Sequence, residues 1–177
     1  MCDGYSATLR PVSANEIDML VKWDSDPELA YLMGYGEREP EESRTRLMKL
    51  LSDRNSVVMC IAGSGGNVVG DIVLTEIAWR SGDAELTVRI GERDYWGKGM
   101  GEQAVNQMLD IAFARLGLNR VYLRVCADNL RATRCYDKCG FKQVGAVRRR
   151  LDPRHGTRTV VLMTITRGSW QARSMAS

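Results

Sequence analysis

A single α/β domain built on a mixed sheet is the fold class this sequence predicts. Three observations predict it. Runs rich in β-branched and apolar residues alternate with stretches of helical spacing along the chain. No linker, low-complexity stretch or internal repeat of about 20–50 residues divides them. The 177 residues suffice for one domain with a sizeable core, and 44% hydrophobic with 27% charged residues is ordinary globular composition. Residues 1–177 are therefore taken as one domain.

The elements follow in order. Ala7 to Pro11 is a short strand. Ser13, with Glu16 three residues on, makes a capping box that opens a helix to about Trp23. Asp26-Pro27-Glu28 restarts a helix near Leu29 to Met33, which Gly34-Tyr35-Gly36 breaks. Glu39-Pro40-Glu41-Glu42 opens a third helix to about Leu51, its acidic first turn favoured by the helix dipole. Val57 to Ala62 and Val68 to Ile77 are strands, joined by a hairpin turn at Gly63-Ser64-Gly65-Gly66-Asn67. Gly82 to Ile90 is the next strand. Val105, Met108, Leu109, Ala112 and Leu116 then recur at helical spacing, with Gly117 as the C-cap. Arg120 to Ala127 is a strand, Asn129 caps the following helix, and Gly140 stops it. A strand, a hairpin at Asp152-Pro153-Arg154-His155-Gly156 and a last strand complete the fold. The polar tail Gln171 to Ser177 is expected to fray.

Composition excludes several function classes. No apolar run approaches the roughly 18 residues needed to span a bilayer, and Met1-Cys2-Asp3-Gly4 does not open a signal peptide. A cytoplasmic protein is the expectation, with its cysteines reduced. Cys2, Cys60, Cys126, Cys135 and Cys139 show no Cys-x-x-Cys spacing, and His155 is the single histidine. A structural zinc takes four ligands, so no metal is expected. Cys126 and Cys135 are read as small core fillers. Arg148-Arg149-Arg150, Arg154 and Arg158 cluster late in the chain. They are either a solvated hairpin or a patch facing phosphates or an acidic partner. Aromatic residues are only 7%, with no aromatic-basic stripe, which argues against nucleic acid as a partner.

The segment Trp96-Gly97-Lys98-Gly99-Met100-Gly101 joins the strand-like run Ala84 to Gly91 to the helix that follows. Alternate glycines let a backbone approach a ligand closely, and a helix N-terminus offers free N–H groups with a partial positive charge. Together they suit a phosphate or pyrophosphate. A Walker loop is excluded, because Gly99 follows Lys98 where Ser or Thr belongs. A dinucleotide fingerprint fails too: Glu102 takes the third glycine position and Val121 the expected acidic one.

Downstream lies Asn129-Leu130-Arg131-Ala132-Thr133-Arg134-Cys135-Tyr136-Asp137-Lys138-Cys139-Gly140-Phe141. A glycine turn and helix, a strand, an Asn-led helix with Tyr seven residues on, then Gly-Phe, resembles the GCN5-related N-acetyltransferase (GNAT) superfamily. The likeness covers roughly residues 5 to 170 and is specific over residues 84 to 141. Ala84-Glu85-Leu86, Tyr95-Trp96-Gly97-Lys98-Gly99 and Arg167-Gly168-Ser169-Trp170 resemble the branch of ribosomal-protein N-terminal and spermidine acetyltransferases. Trp96 stands where the family loop often has Gln or Arg, which leaves the backbone amides in place. The resemblance implies a mostly antiparallel sheet of six to seven strands flanked by helices.

It also implies acetyl-CoA as co-substrate and a small-molecule amine or protein N-terminus as acceptor. An acetyl thioester is already activated and requires no metal. The amides from Trp96 and Gly97 through Lys98, Gly99 and Met100 to Gly101 would hold the pyrophosphate, with Lys98 adding charge. Strand residues Val88, Arg89 and Ile90 would pair with the pantetheine arm as an added strand does. Asn129 would bond the cofactor or cap its helix. Tyr136 matches the family's general acid: a phenol of pKa about 10 stays protonated beside a thiol of about 8.5. Glu85 is the first candidate base and Glu76 the second, both acids in largely apolar strand surroundings. The alternative for both is an outward position or a partner for Arg89 or Arg124. The acidic segment Glu37 to Glu42 either lines the acceptor side, favouring cationic amines, or only starts a helix. Two other function classes stand beside this one: a non-catalytic coenzyme A-binding sensor, and a nucleic-acid adaptor using the Arg148–Arg158 patch. Oligomeric state stays open, with a homodimer suggested by analogy with relatives alone.

Overall fold

The computed structural model describes residues 5–152 and 156–176. Strand β1 (Thr8–Pro11) leads through a 3-10 turn (Ala14–Glu16) into α1 (Ile17–Asp24). The Ser13–Glu16 capping box is present, with the Ser13 N–H donating to the Glu16 carboxylate at 2.8 Å. Helices α2 (Pro27–Met33) and α3 (Pro40–Ser52) follow, each with proline in its first turn, where a missing N–H costs nothing. Strands β2 (Val57–Ala62), β3 (Val68–Ala78) and β4 (Asp83–Ile90) form an antiparallel meander. Then come α4 (Met100–Asp110), which runs on into a π turn (Ile111–Arg115), β5 (Arg120–Cys126), α5 (Leu130–Lys138), β6 (Lys142–Asp152), β7 (Gly156–Thr166) and α6 (Arg167–Ala176). No helix among the described residues is long and apolar enough to cross a membrane.

The sheet has seven strands in the order β1-β2-β3-β4-β5-β7-β6. Every described pairing is antiparallel except β4 with β5. That parallel pair joins at three positions, Asp83↔Arg120, Ala84↔Val121 and Glu85↔Tyr122. Residues 86–90 and 123–126 run beyond the last rung without pairing to each other, so the sheet opens into a wedge at its centre.

Alternation along β4 sends its residues to two different layers. Leu86, Val88 and Ile90 face the core formed with α4 and α5, whose members include Met100, Met108, Leu123, Tyr136 and Phe141. Full burial of each such side chain contributes about 1.5–3 kcal/mol. A second, smaller core packs Leu20, Trp23 and Leu29 against Cys60 and Val68. Gly91 ends β4 because Trp23 lies directly against it; a Cβ there would sit 2.1 Å from the indole.

The C-terminal tail corrects the expectation of fraying, since α6 is helical as far as Ala176. The Trp170 ring packs on Phe113 at 5.4 Å. The Arg173 guanidinium donates to the carbonyls of Lys138, at 2.7 Å, and Cys139, which satisfies the exposed end of α5. Within the polar tail, Arg173 thus caps a neighbouring helix.

Candidate active site

The glycine segment folds as the sequence implies. Gly97 (φ 72°) and Gly99 (φ 77°) are both left-handed, a conformation that a side chain would strain. Gly99 is the N-cap of α4 and supplies no side-chain cap. The N–H groups of the first turn of α4 therefore point out of the helix without an intrahelical acceptor. They border a cavity of about 380 Å³ between the open edge of β4 and helix α5, lined by Val88, Ile90, Gly97, Gly99, Arg131 and Tyr136 among others. Cations from α5 at one-turn spacing, Arg131, Arg134 and Lys138, also line it. The uncapped amides, the basic rim and an unpaired strand edge fit a diphosphate joined to an amide-bearing arm.

Individual residues take parts that the sequence leaves open. The Trp96 indole donates to the Ile90 carbonyl at 2.8 Å, and the Arg131 guanidinium lies 3.9 Å over its ring. Trp96 is thus a wall that braces the end of β4 and orients a cation. The Lys98 ammonium stands over the Tyr5 ring at 5.3 Å, and Lys98 does not line the cavity. The Asn129 carboxamide caps α5 by accepting from the Ala132 N–H at 3.2 Å, and donates to the Leu32 carbonyl at 3.0 Å. Both ends of that side chain are occupied within the protein.

The Arg89 side chain lies on the opposite face from Val88 and Ile90. Its guanidinium, 7% exposed, bonds Asp71 at 2.8 Å and Asp24 at 3.0 Å. Asp24 also takes Arg46 at 2.9 Å, Arg38 at 3.4 Å and the Tyr35 hydroxyl at 3.2 Å. Burial pushes the Asp24 carboxyl up, but Arg46, Arg89 and Arg38 outweigh it and hold it at about 2. Arg89 also lines the phosphate-side cavity, while its guanidinium is held by Asp24 and Asp71. Its side chain ties α1 and the Tyr35 loop to β3 and β4, and α3 joins through the Asp24 that Arg46 shares.

That same face carries a second cavity of about 400 Å³, bordered by Glu85, Thr87, Arg124, Tyr35 and Arg149. Tyr136 and Met33 line both cavities, so the two meet there. The Tyr136 ring is buried edge-on to Phe141 at 5.9 Å, and its hydroxyl bonds no described residue. Burial pushes the phenol's pKa up, so it keeps its proton at neutral pH.

The two acidic candidates part company. Glu85 lies at the last rung of the β4–β5 pair and lines the second cavity, with Arg124 at 3.1 Å. Burial raises its carboxyl's pKa; Arg124 opposes this and Glu76 adds to it. Glu76 does not line that cavity. It sits at φ 52° where the β3–β4 register slips between Thr75 and Ala78, and accepts from the Tyr122 hydroxyl at 2.8 Å. Burial first, then that bond, push the Tyr122 phenol up to about 12.

The late arginines do not form one patch. Arg158 is buried against Asp128 at 2.7 Å and stacks on Tyr31 at 3.9 Å. Arg149 and Arg150 line the second cavity, while Arg154 and His155 lie outside the described residues. None of Glu37, Glu39, Glu41 or Glu42 borders that cavity; Glu39 and Glu42 form the capping box of α3. The acidic segment is a helix start. Cys60, Cys126 and Cys139 are buried, and the described residues hold no group of three metal-binding side chains.

Comparison with known proteins adds relatives to this geometry. Residues 7–142 match the family model of the acetyltransferase (GNAT) domain. The chain is 30% identical over 118 residues to a spermidine N(1)-acetyltransferase of Vibrio cholerae, covering 64% of this chain and 68% of that protein. It is 26% identical over 155 residues to an aminoglycoside N(6')-acetyltransferase type 1 of Klebsiella pneumoniae, covering 80% and 77%. The crystal structure of Vibrio cholerae spermidine N-acetyltransferase in complex with CoA and spermine has the same fold, with a TM-score of 0.82 at 22% identity over 93% of this chain and 98% of that one.

Proposed function

The chain belongs to the GNAT acetyltransferase family, and on that premise we propose that Glu85 and Tyr136 move the protons while an acetyl group passes to a primary amine in the central wedge. It is an acetyl-CoA-dependent N-acetyltransferase. The non-catalytic sensor finds no support among these relatives. The observation that carries the assignment is that Tyr136 borders both cavities, one shaped for the phosphates and one containing the acid Glu85.

When bound, acetyl-CoA supplies an activated acetyl thioester. Amides at the start of α4 hold its diphosphate, Arg131 faces the same charge, and the backbone of residues 88–90 pairs with its arm. An alkyl ammonium has a pKa of about 10.4 and an α-ammonium about 7.8, so an acceptor needs a base to expose its lone pair. Glu85 takes that proton, directly or through water. Burial moves its carboxyl toward the operating pH, where a general base works best. The neutral Tyr136 returns a proton to the departing thiolate. Glu76 holds the hydroxyl of Tyr122, the cross-strand partner of Glu85, and is not the base in this reading. Self-association through the edge strand β6, which exposes Val144 and Val147, belongs to the same reading.

Thiol release by Glu85→Gln and Glu76→Gln tests the base. Glu85→Gln should lower kcat/KM about 100-fold with acetyl-CoA affinity retained, and Glu76→Gln by less than about tenfold. The reverse order would transfer the role to Glu76.

A further inference from the structure

We propose that the acceptor is an anionic amine, a small molecule whose primary amine lies near a carboxylate or phosphate that the arginines of the second cavity bind. The inference rests on the acetyl-transfer reading above and narrows it.

Charge on the cavity wall is the ground for it. Among the described residues, five guanidiniums line the space (Arg38, Arg46, Arg124, Arg149 and Arg150) against the single carboxylate of Glu85. Arg150 has an interaction of its own and is left out of the count, and the charges behind the wall do not reverse the sign. Arg38, Arg46 and Arg89 share Asp24 and Asp71, which leaves three cations on two anions. Arg124 balances Glu85. Arg149 is exposed, and its guanidinium makes no hydrogen bond or ion pair with a described residue. The wall therefore carries net positive charge, in the cavity that both Glu85 and Tyr136 line.

A polyamine suits this wall poorly. Its reacting amine can lie against Glu85, but each remaining ammonium meets guanidinium, and none of Glu37, Glu39, Glu41 and Glu42 lines the cavity. An amine that also carries an anion satisfies both ends. The ammonium approaches Glu85. The anion takes the planar N–H fork of Arg149, and of Arg124, whose Nη1 alone is committed to Glu85. At about 400 Å³ the cavity accommodates a molecule of that size.

The test uses the full chain with acetyl-CoA and measures thiol release for size-matched acceptors: 4-aminobutyrate against butylamine, 2-aminoethyl phosphate against 2-aminoethanol, and spermidine. We expect kcat/KM for the better anionic amine to exceed that of its neutral counterpart at least tenfold; which of the two anions gains more identifies carboxylate or phosphate. Arg149→Ala should raise KM for that amine at least fivefold, and Arg149→Lys should restore most of the loss. Turnover of spermidine above every anionic amine, abolished by Tyr136→Phe, would overturn the inference and leave acetyl transfer standing. Absence of both thiol release and acetyl-CoA binding would overturn the two together.

Discussion

Arg124 reaches back from two residues beyond the last β4–β5 rung to place its Nη1 3.1 Å from the Glu85 carboxylate. The pair sits where the strands separate, so the charge of the candidate base depends on a residue of the other strand. Burial raises the Glu85 pKa and Arg124 opposes it. Removing Arg124 leaves the desolvation unopposed, so the pKa rises and less carboxylate is available at a given pH. Arg124→Gln should move the acidic limb of the kcat–pH profile to higher pH at saturating amine. An acidic limb that does not move would separate Glu85 from the proton-transfer step.

The buried network around Asp24 makes the fold acid-sensitive. Asp24 titrates at about 2 in the folded chain against an ordinary 3.8, so its stabilisation is complete above about pH 4 and is lost as pH falls toward 2. Glu16, paired with Arg10 and likewise held at about 2, adds to the same window. Urea unfolding midpoints should fall through this range. Asp24→Asn should flatten that fall and lower the midpoint at pH 7, because three guanidiniums lose their shared acceptor. A variant as stable as the parent at pH 7 would contradict the network's role.

Gly99 gives a prediction about the phosphate site. A side chain in its left-handed conformation costs about 1–2 kcal/mol. Relief of that strain turns the first amides of α4 away from the cavity. Gly99→Ala should raise the acetyl-CoA Kd about tenfold by calorimetry. An unchanged Kd would mean that these amides do not hold the diphosphate.

Much of this architecture is legible in the chain, and the gaps have physical causes. Local rules carry the strands β2 to β5, the Ser13–Glu16 capping box and the glycine turn, because each depends on residues close in sequence. The wedge is not local: β4 and β5 are separated by α4, and nothing in either strand says that pairing stops at Glu85. The Arg131 contribution escapes a motif search, although its three- and seven-residue spacing to Arg134 and Lys138 marks one face of α5. Arg89 illustrates a usable signal. Period-two alternation places it with Glu85, opposite Val88 and Ile90, and so away from the pantetheine side. The helical tail depends on Arg173 finding carbonyls of α5, a tertiary contact that its polar composition conceals.

The central claim is that Tyr136, at the meeting of the two cavities, protonates the leaving thiolate. Comparing steady-state thiol release and acetyl-CoA affinity in Tyr136→Phe tests it most directly. The account predicts a kcat lower by roughly 10²–10⁴-fold with an unchanged acetyl-CoA Kd. A kcat equal to that of the parent chain would contradict it.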